Sequence, residues 1–221
     1  MAFCVNCGAS LVEGAKFCGS CGTKVAGASA PADIDAIWEL VKSGKQAEAF
    51  ALFKPLAEAG NLRAQNALGT CYENAIGGKQ DPVKALEWYL KAADQGDAEA
   101  QTNLGAYYFE GLSVEPDYEK AVEWYHKAAD QGYAPAQHML GACYGSGLGV
   151  AEDAAKDVEW CRKAVDQGYA PAQFRLGICY KNGTGVAQDY AKAAEWLNKA
   201  AAQSNAAAQK ALNKMKAEGL I

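Results

Sequence analysis

From Gly60 onward the chain repeats itself every thirty-six residues, and no gap is needed to align the copies. The four registers open GNLRAQNALGTCYEN at Gly60, GDAEAQTNLGAYYFE at Gly96, GYAPAQHMLGACYGS at Gly132 and GYAPAQFRLGICYKN at Gly168. A period of this size marks one supersecondary unit that cannot bury its apolar face alone and stacks on its neighbours. In the first half of each unit, Ala64, Leu68 and Tyr72 return as 100/104/108, 136/140/144 and 172/176/180, one stripe of a helix. Gly69, Gly105, Gly141 and Gly177 fall inside that helix. A glycine there costs up to ~1 kcal/mol against alanine, so its repetition predicts a neighbouring helix too close for a side chain.

The second half repeats Trp88, Trp124, Trp160 and Trp196, each with alanine four residues on. Asp81, Asp117, Asp153 and Asp189 precede this second helix and suit its N-cap, and Pro82 suits its first position. Glycines in the connecting loops (Gly111, Gly147, Gly149, Gly183, Gly185) and at each repeat boundary close the helices. Each unit is therefore an antiparallel helix pair, and the fold class is an all-α solenoid of such pairs.

The expected organisation is a small module at 1–25, a linker at 26–32 and the solenoid at 33–221. Within the solenoid, 33–59 is a degenerate repeat, 60–95, 96–131, 132–167 and 168–203 are full repeats, and 204–221 is a capping helix with Lys216 where tyrosine stood.

The N-terminal module reads CVNCGASLVEGAKFCGSCG from Cys4. Two Cys-x2-Cys pairs, Cys4 with Cys7 and Cys18 with Cys21, offer four thiolates, the closed shell that Zn2+ takes when its role is structural. Val5, Leu11, Val12 and Phe17 are too few for a core, so the segment needs a metal staple. Two disulfides or free thiols are the alternative. The segment resembles the short zinc ribbons at the N-termini of many bacterial proteins. Four thiolates leave no coordination position for water, so the metal is not catalytic.

The columns A-x3-L-G-x2-Y, G-x-G-V, D-x2-K-A and E-W-x2-K-A resemble the Sel-one-like repeat family, relatives of the tetratricopeptide repeat, over 60–203. The resemblance implies a right-handed solenoid that binds protein or peptide on its concave face, lined by the first helices. By that likeness the groove columns are Asn66/Thr102/His138/Phe174, Thr70/Ala106/Ala142/Ile178 and Glu73/Phe109/Gly145/Lys181. The expected contact residues are Asn66, Glu73, Thr102, Phe109, His138, Phe174, Ile178 and Lys181. The cysteine that secreted relatives carry at the end of the second helix is replaced by Ala93, Ala129, Val165 and Ala201. Cys71, Cys143, Cys161 and Cys179 therefore read as small buried side chains.

Catalytic constellations are scarce. His126 and His138 are the only histidines and sit in variable columns, where they read as surface residues. GSGLGV and NGTGV follow a helix rather than a strand and turn the chain instead of cradling phosphate. Asp157 breaks a column of Ala85, Ala121 and Ala193 and reads as drift, since Lys156 and Arg162 point elsewhere. A net charge of −5 with no basic block argues against a nucleic-acid partner. No apolar run is long enough to span a bilayer, and the N-terminus lacks the pattern of a signal peptide.

The expectation is a cytoplasmic, non-enzymatic adaptor, a monomer by default with its oligomeric state open, that binds protein or peptide and carries structural Zn2+. The alternatives are a regulatory module whose ribbon touches nucleic acid or a transcription component and, more remotely, a cell-wall hydrolase.

Overall fold

The structure is a computed structural model, and it describes residues 2–3, 10–11 and 33–221. Two short strands, β1 (Ala2–Phe3) and β2 (Ser10–Leu11), pair antiparallel with Ala2 opposite Leu11 and Phe3 opposite Ser10. Every other described element is an α-helix. The chain forms two compact units, Met1–Ala100 and Gln101–Ile221.

In the first unit α1 (Ile34–Lys42), α2 (Gln46–Glu58), α3 (Leu62–Glu73) and α4 (Pro82–Asp94) run as successive antiparallel neighbours. Helix α5 (Ala98–Glu110) carries the chain into the second unit. There α6 (Tyr118–Asp130), α7 (Ala134–Ser146), α8 (Ala154–Asp166), α9 (Ala170–Asn182), α10 (Tyr190–Ala202) and α11 (Ala206–Ala217) each pack on the next. The thirty-six-residue helix pair expected from the sequence is the unit of the fold, and the degenerate pair α1–α2 shares one apolar cluster with α3, centred on Ile37, Phe53 and Leu68.

The caps explain why helices start where they do. Asp81 accepts from the backbone N–H of Lys84, Asp117 from that of Lys120, Asp153 from those of Ala155 and Lys156, and Asp189 from that of Lys192. Each such cap is worth ~1 kcal/mol. Helices α7 and α9 end on Gly147 and Gly183 in the left-handed conformation.

The helix-interior glycines do face a close neighbour. A Cβ on Gly69 would lie 2.7 Å from the Tyr89 ring, and one on Gly105 would lie 2.6 Å from the Tyr125 ring. At Gly177 the obstacle is Leu197 at 2.8 Å, and at Gly141 it is the Asp157 carbonyl at 3.1 Å. Each glycine thus admits the second helix of its own pair, and the large side chains that fill the seam, such as Tyr89, Tyr125 and Leu197, are fully buried. Burying one such side chain contributes ~2 kcal/mol, more than the helix propensity lost at the glycine.

Candidate partner-binding face

The residues expected to form a binding groove lie on the first helix of each pair, and the structure gives them unequal freedom. On α3, Asn66 is only 5% exposed. Glu73 accepts a 2.8 Å hydrogen bond from the Tyr89 hydroxyl, which also lies 3.1 Å from the Thr70 hydroxyl. On α5, Thr102 is half-buried, and the half-buried Phe109 ring meets Tyr118 edge-on at 5.1 Å. On α7, His138 meets Tyr169 edge-on at 5.8 Å, and its buried Nδ1 makes no hydrogen bond among the described residues. Burial and the nearby Arg175 charge push its imidazole down to about 4. On α9, Phe174 and Ile178 pack against the α10–α11 cluster of Leu197, Leu212 and Met215, while Lys181 is half-buried and makes no ion pair among the described residues. The structure therefore brings Phe174, Ile178 and Lys181 together on one stripe of α9, and ties Glu73 into a hydrogen-bonded group with α4.

Asp157 is not drift. It is 2% exposed, and its two oxygens take Arg175 Nε at 2.7 Å and Nη2 at 2.8 Å from the first helix of the next repeat. Cys161 donates from Sγ to the same carboxylate at 3.4 Å. The space comes from two further departures. Cys161 stands where Tyr89 and Tyr125 put a ring, and Gly145 stands where Glu73, Phe109 and Lys181 put a side chain. A Cβ at Gly145 would run into both Asp157 and Arg175. Four substitutions act as one, replacing an aromatic seam by a bidentate ion pair.

His126 is likewise no free surface residue. Its Nε2 lies 3.2 Å from the Tyr144 hydroxyl, and its ring meets Trp160 edge-on at 5.8 Å. The cysteines Cys71, Cys143, Cys161 and Cys179 are free and buried, and burial raises their thiols, Cys71 to about 12 and Cys143 to about 11. They are poor nucleophiles at neutral pH.

Two further periodic features join the elements. A glutamine at the end of each second helix donates from Nε2 to a buried glutamine on the first: Gln95 to Gln65 and Gln131 to Gln101 at 2.8 Å, Gln167 to Gln137 and Gln203 to Gln173 at 3.0 Å. Lys91, Lys127, Lys163 and Lys199 lie over the rings of Trp88, Trp124, Trp160 and Trp196 at 3.6–4.0 Å. In the duplicated phrase GYAPAQ, Tyr133 and Tyr169 take the N-cap place of Asn61 and Asn205 without capping through the side chain, and they line a shallow groove of about 470 Å3 with Pro135 and Pro171.

Cys4, Cys7, Cys18 and Cys21 lie outside the described residues. The β1–β2 pairing brackets the segment that holds Cys4 and Cys7. A set of four sulfur donors in two Cys-x2-Cys pairs fits tetrahedral Zn2+. Among the described residues no group of histidine, cysteine and acidic side chains is arranged to hold a metal, and no helix is long and apolar enough to cross a membrane.

Comparison with known proteins agrees with this architecture. Residues 62–97, 98–133, 134–169 and 170–205 each match the Sel1 repeat, and residues 3–25 match a zinc-ribbon domain. No curated protein matches the chain. Among solved structures, a Sel1 repeat protein from Oxalobacter formigenes is 32% identical with a TM-score of 0.77, over 84% of this chain and 76% of that one. A protective antigen of uropathogenic Escherichia coli with an SLR fold is 34% identical with a TM-score of 0.73, over 86% of this chain but 42% of its own length. An immunity protein from Pseudomonas aeruginosa is 25% identical with a TM-score of 0.60, over 80% of this chain and 68% of that one. With helix pairs, seam glycines and capping aspartates all in the register of those four matches, the chain belongs to the Sel1 repeat family.

Proposed function

We propose that the chain is a non-enzymatic, cytoplasmic adaptor that binds a protein or peptide on the face made by its first helices. Membership of a repeat family that mediates protein–protein interaction supports this reading. The observation that carries it is the contrast between columns. The seam glycines and capping aspartates keep their residue type through all four repeats, whereas the 66/102/138/174 and 73/109/145/181 columns change chemistry at every step. A surface that varies on an invariant scaffold is where recognition resides. The chain is divided into a ribbon at 1–25, a linker at 26–32 and a repeat region at 33–221. Cys4, Cys7, Cys18 and Cys21 hold one structural Zn2+, which supplies the ribbon's folding energy and no chemistry of its own.

The test is capture of partners on the immobilised full chain, followed by the same experiment on Phe109→Ala/Phe174→Ala. Both rings are half-buried, so the variant melts a few degrees lower and binding is measured well below that transition. Loss of a captured partner by about tenfold or more supports the face as the site. Undiminished capture by a variant that keeps its helicity refutes it.

A further inference from the structure

Charge on the first helices of the second unit is graded along the chain. Helix α5 ends in the exposed Glu110, and α7 carries no Asp, Glu, Lys or Arg. Helix α9 carries Arg175 and Lys181, and α11 carries Lys210, Lys214 and Lys216, with no acidic residue on either helix. At the period of thirty-six, Lys210 falls in the column of His138 and Phe174, and Lys214 in that of Ala142 and Ile178. The variable columns thus become cationic towards α11, around the apolar pair Phe174 and Ile178.

These charges differ in kind from the other lysines of the unit. Lys120, Lys156 and Lys192 are held by their own N-cap aspartates at 3.0–3.8 Å, and Lys127, Lys163 and Lys199 lie over tryptophan rings. Arg175 is engaged by Asp157. By contrast Lys181 and Lys210 make no ion pair among the described residues, and Lys214, 67% exposed, has only Glu218 at 3.7 Å.

We propose that the partner of this face is an acidic polypeptide segment with apolar side chains among its carboxylates, seated at the α9–α11 end through Lys181, Lys210 and Lys214. The proposal rests on the adaptor reading and names the chemistry of its partner. Charge complementarity selects the occupant: exposed cations with little local counter-charge attract carboxylates and set the on-rate. Nucleic acid fits less well. Three lysines on a chain of net charge −5 neutralise few phosphates.

The test uses the full chain and a labelled synthetic peptide of alternating Glu and Leu, followed by fluorescence anisotropy. Binding is expected to weaken about tenfold between low and physiological salt, as exposed charges are screened. Lys181→Gln/Lys210→Gln/Lys214→Gln should lose about tenfold in affinity with unchanged helicity, while Lys127→Gln/Lys163→Gln/Lys199→Gln stays within about twofold. No binding of the Glu peptide, equal binding by the two triple variants, or binding of a single-stranded oligonucleotide as tight as that of the peptide overturns the proposal. A partner captured in the adaptor experiment separates the two readings. If Phe109→Ala/Phe174→Ala loses that partner and the Lys181/Lys210/Lys214 variant keeps it, the acidic-partner proposal fails and the adaptor reading stands. If both variants keep it, both fail.

Discussion

Removing Arg175 should destabilise the protein far more than removing the carboxylate it holds. Arg175→Met leaves Asp157, 2% exposed, with no counter-charge, and stranding a buried charge costs ~3–5 kcal/mol. Asp157→Ala restores the residue that Ala85, Ala121 and Ala193 supply in the other repeats. The stranded guanidinium has a side chain 27% exposed and reaches water, so the loss should be only ~1–2 kcal/mol. The double variant replaces an ion pair by apolar side chains and should lie within ~1 kcal/mol of the parent, giving a coupling energy of ~3–8 kcal/mol. Urea unfolding of all four proteins, followed by far-UV circular dichroism, measures each quantity. Losses from the two single variants that add in the double to within ~0.5 kcal/mol would show that the pair is not coupled. The account of a buried bidentate bridge would then be wrong.

Tyr89→Phe should destabilise by ~1 kcal/mol, because Glu73 and Thr70 lose their partner, whereas Tyr125→Phe should be neutral or stabilising, because the Tyr125 hydroxyl is buried without a hydrogen bond; thermal shifts of the same sign and size would refute this. Burial holds His138 down at about 4, below its unfolded value of 6.5, so the unfolded chain binds the proton first and stability falls as pH drops from about 6.5 to 4, by roughly 3 kcal/mol in total. His138→Asn, the residue type of Asn66, should flatten that part of the stability–pH curve relative to the parent; two superimposable curves would sink the assignment. Cys4→Ser/Cys7→Ser should abolish about one bound Zn2+ per chain by elemental analysis while the repeat helices keep their ellipticity; retained metal would rule out the four-cysteine site.

The sequence read well wherever a residue answers to its own column. Gly69, Gly105, Gly141 and Gly177 announced a close helix approach because a costly choice recurs, and Asp81, Asp117, Asp153 and Asp189 announced caps because the cap is local. What stayed hidden crosses a repeat boundary. In the sequence alone Asp157 reads as drift because its nearest bases, Lys156 and Arg162, point elsewhere, while its partner Arg175 lies on the next helix pair. The readable signal was joint: Asp157, Cys161, Gly145 and Arg175 all depart from their columns, and their volumes compensate. His126 failed for the same reason, since Tyr144 and Trp160 belong to the following repeat. Phe174 and Ile178 are groove residues by likeness to the tetratricopeptide repeat, yet they also pack against α10 and α11. A column read alone says nothing about packing on the next pair.

The glutamine bridges close three successive repeats on themselves in the same way: Gln131 to Gln101, Gln167 to Gln137 and Gln203 to Gln173 are one clasp used again. Units that each close on themselves alike are interchangeable, and such a gene can gain or lose whole copies by recombination without opening a clasp. The Asp157–Arg175 pair revokes that freedom at one place. Deleting 132–167 would set Arg175 against the column of Ala121, and deleting 168–203 would leave Asp157 facing that of Ala211, so either event strands a charge. Deleting 96–131 would leave the pair whole. The bridge therefore works as an address that fixes which repeat follows which, and it makes 132–203 the block through which this protein's copy number is least free to change.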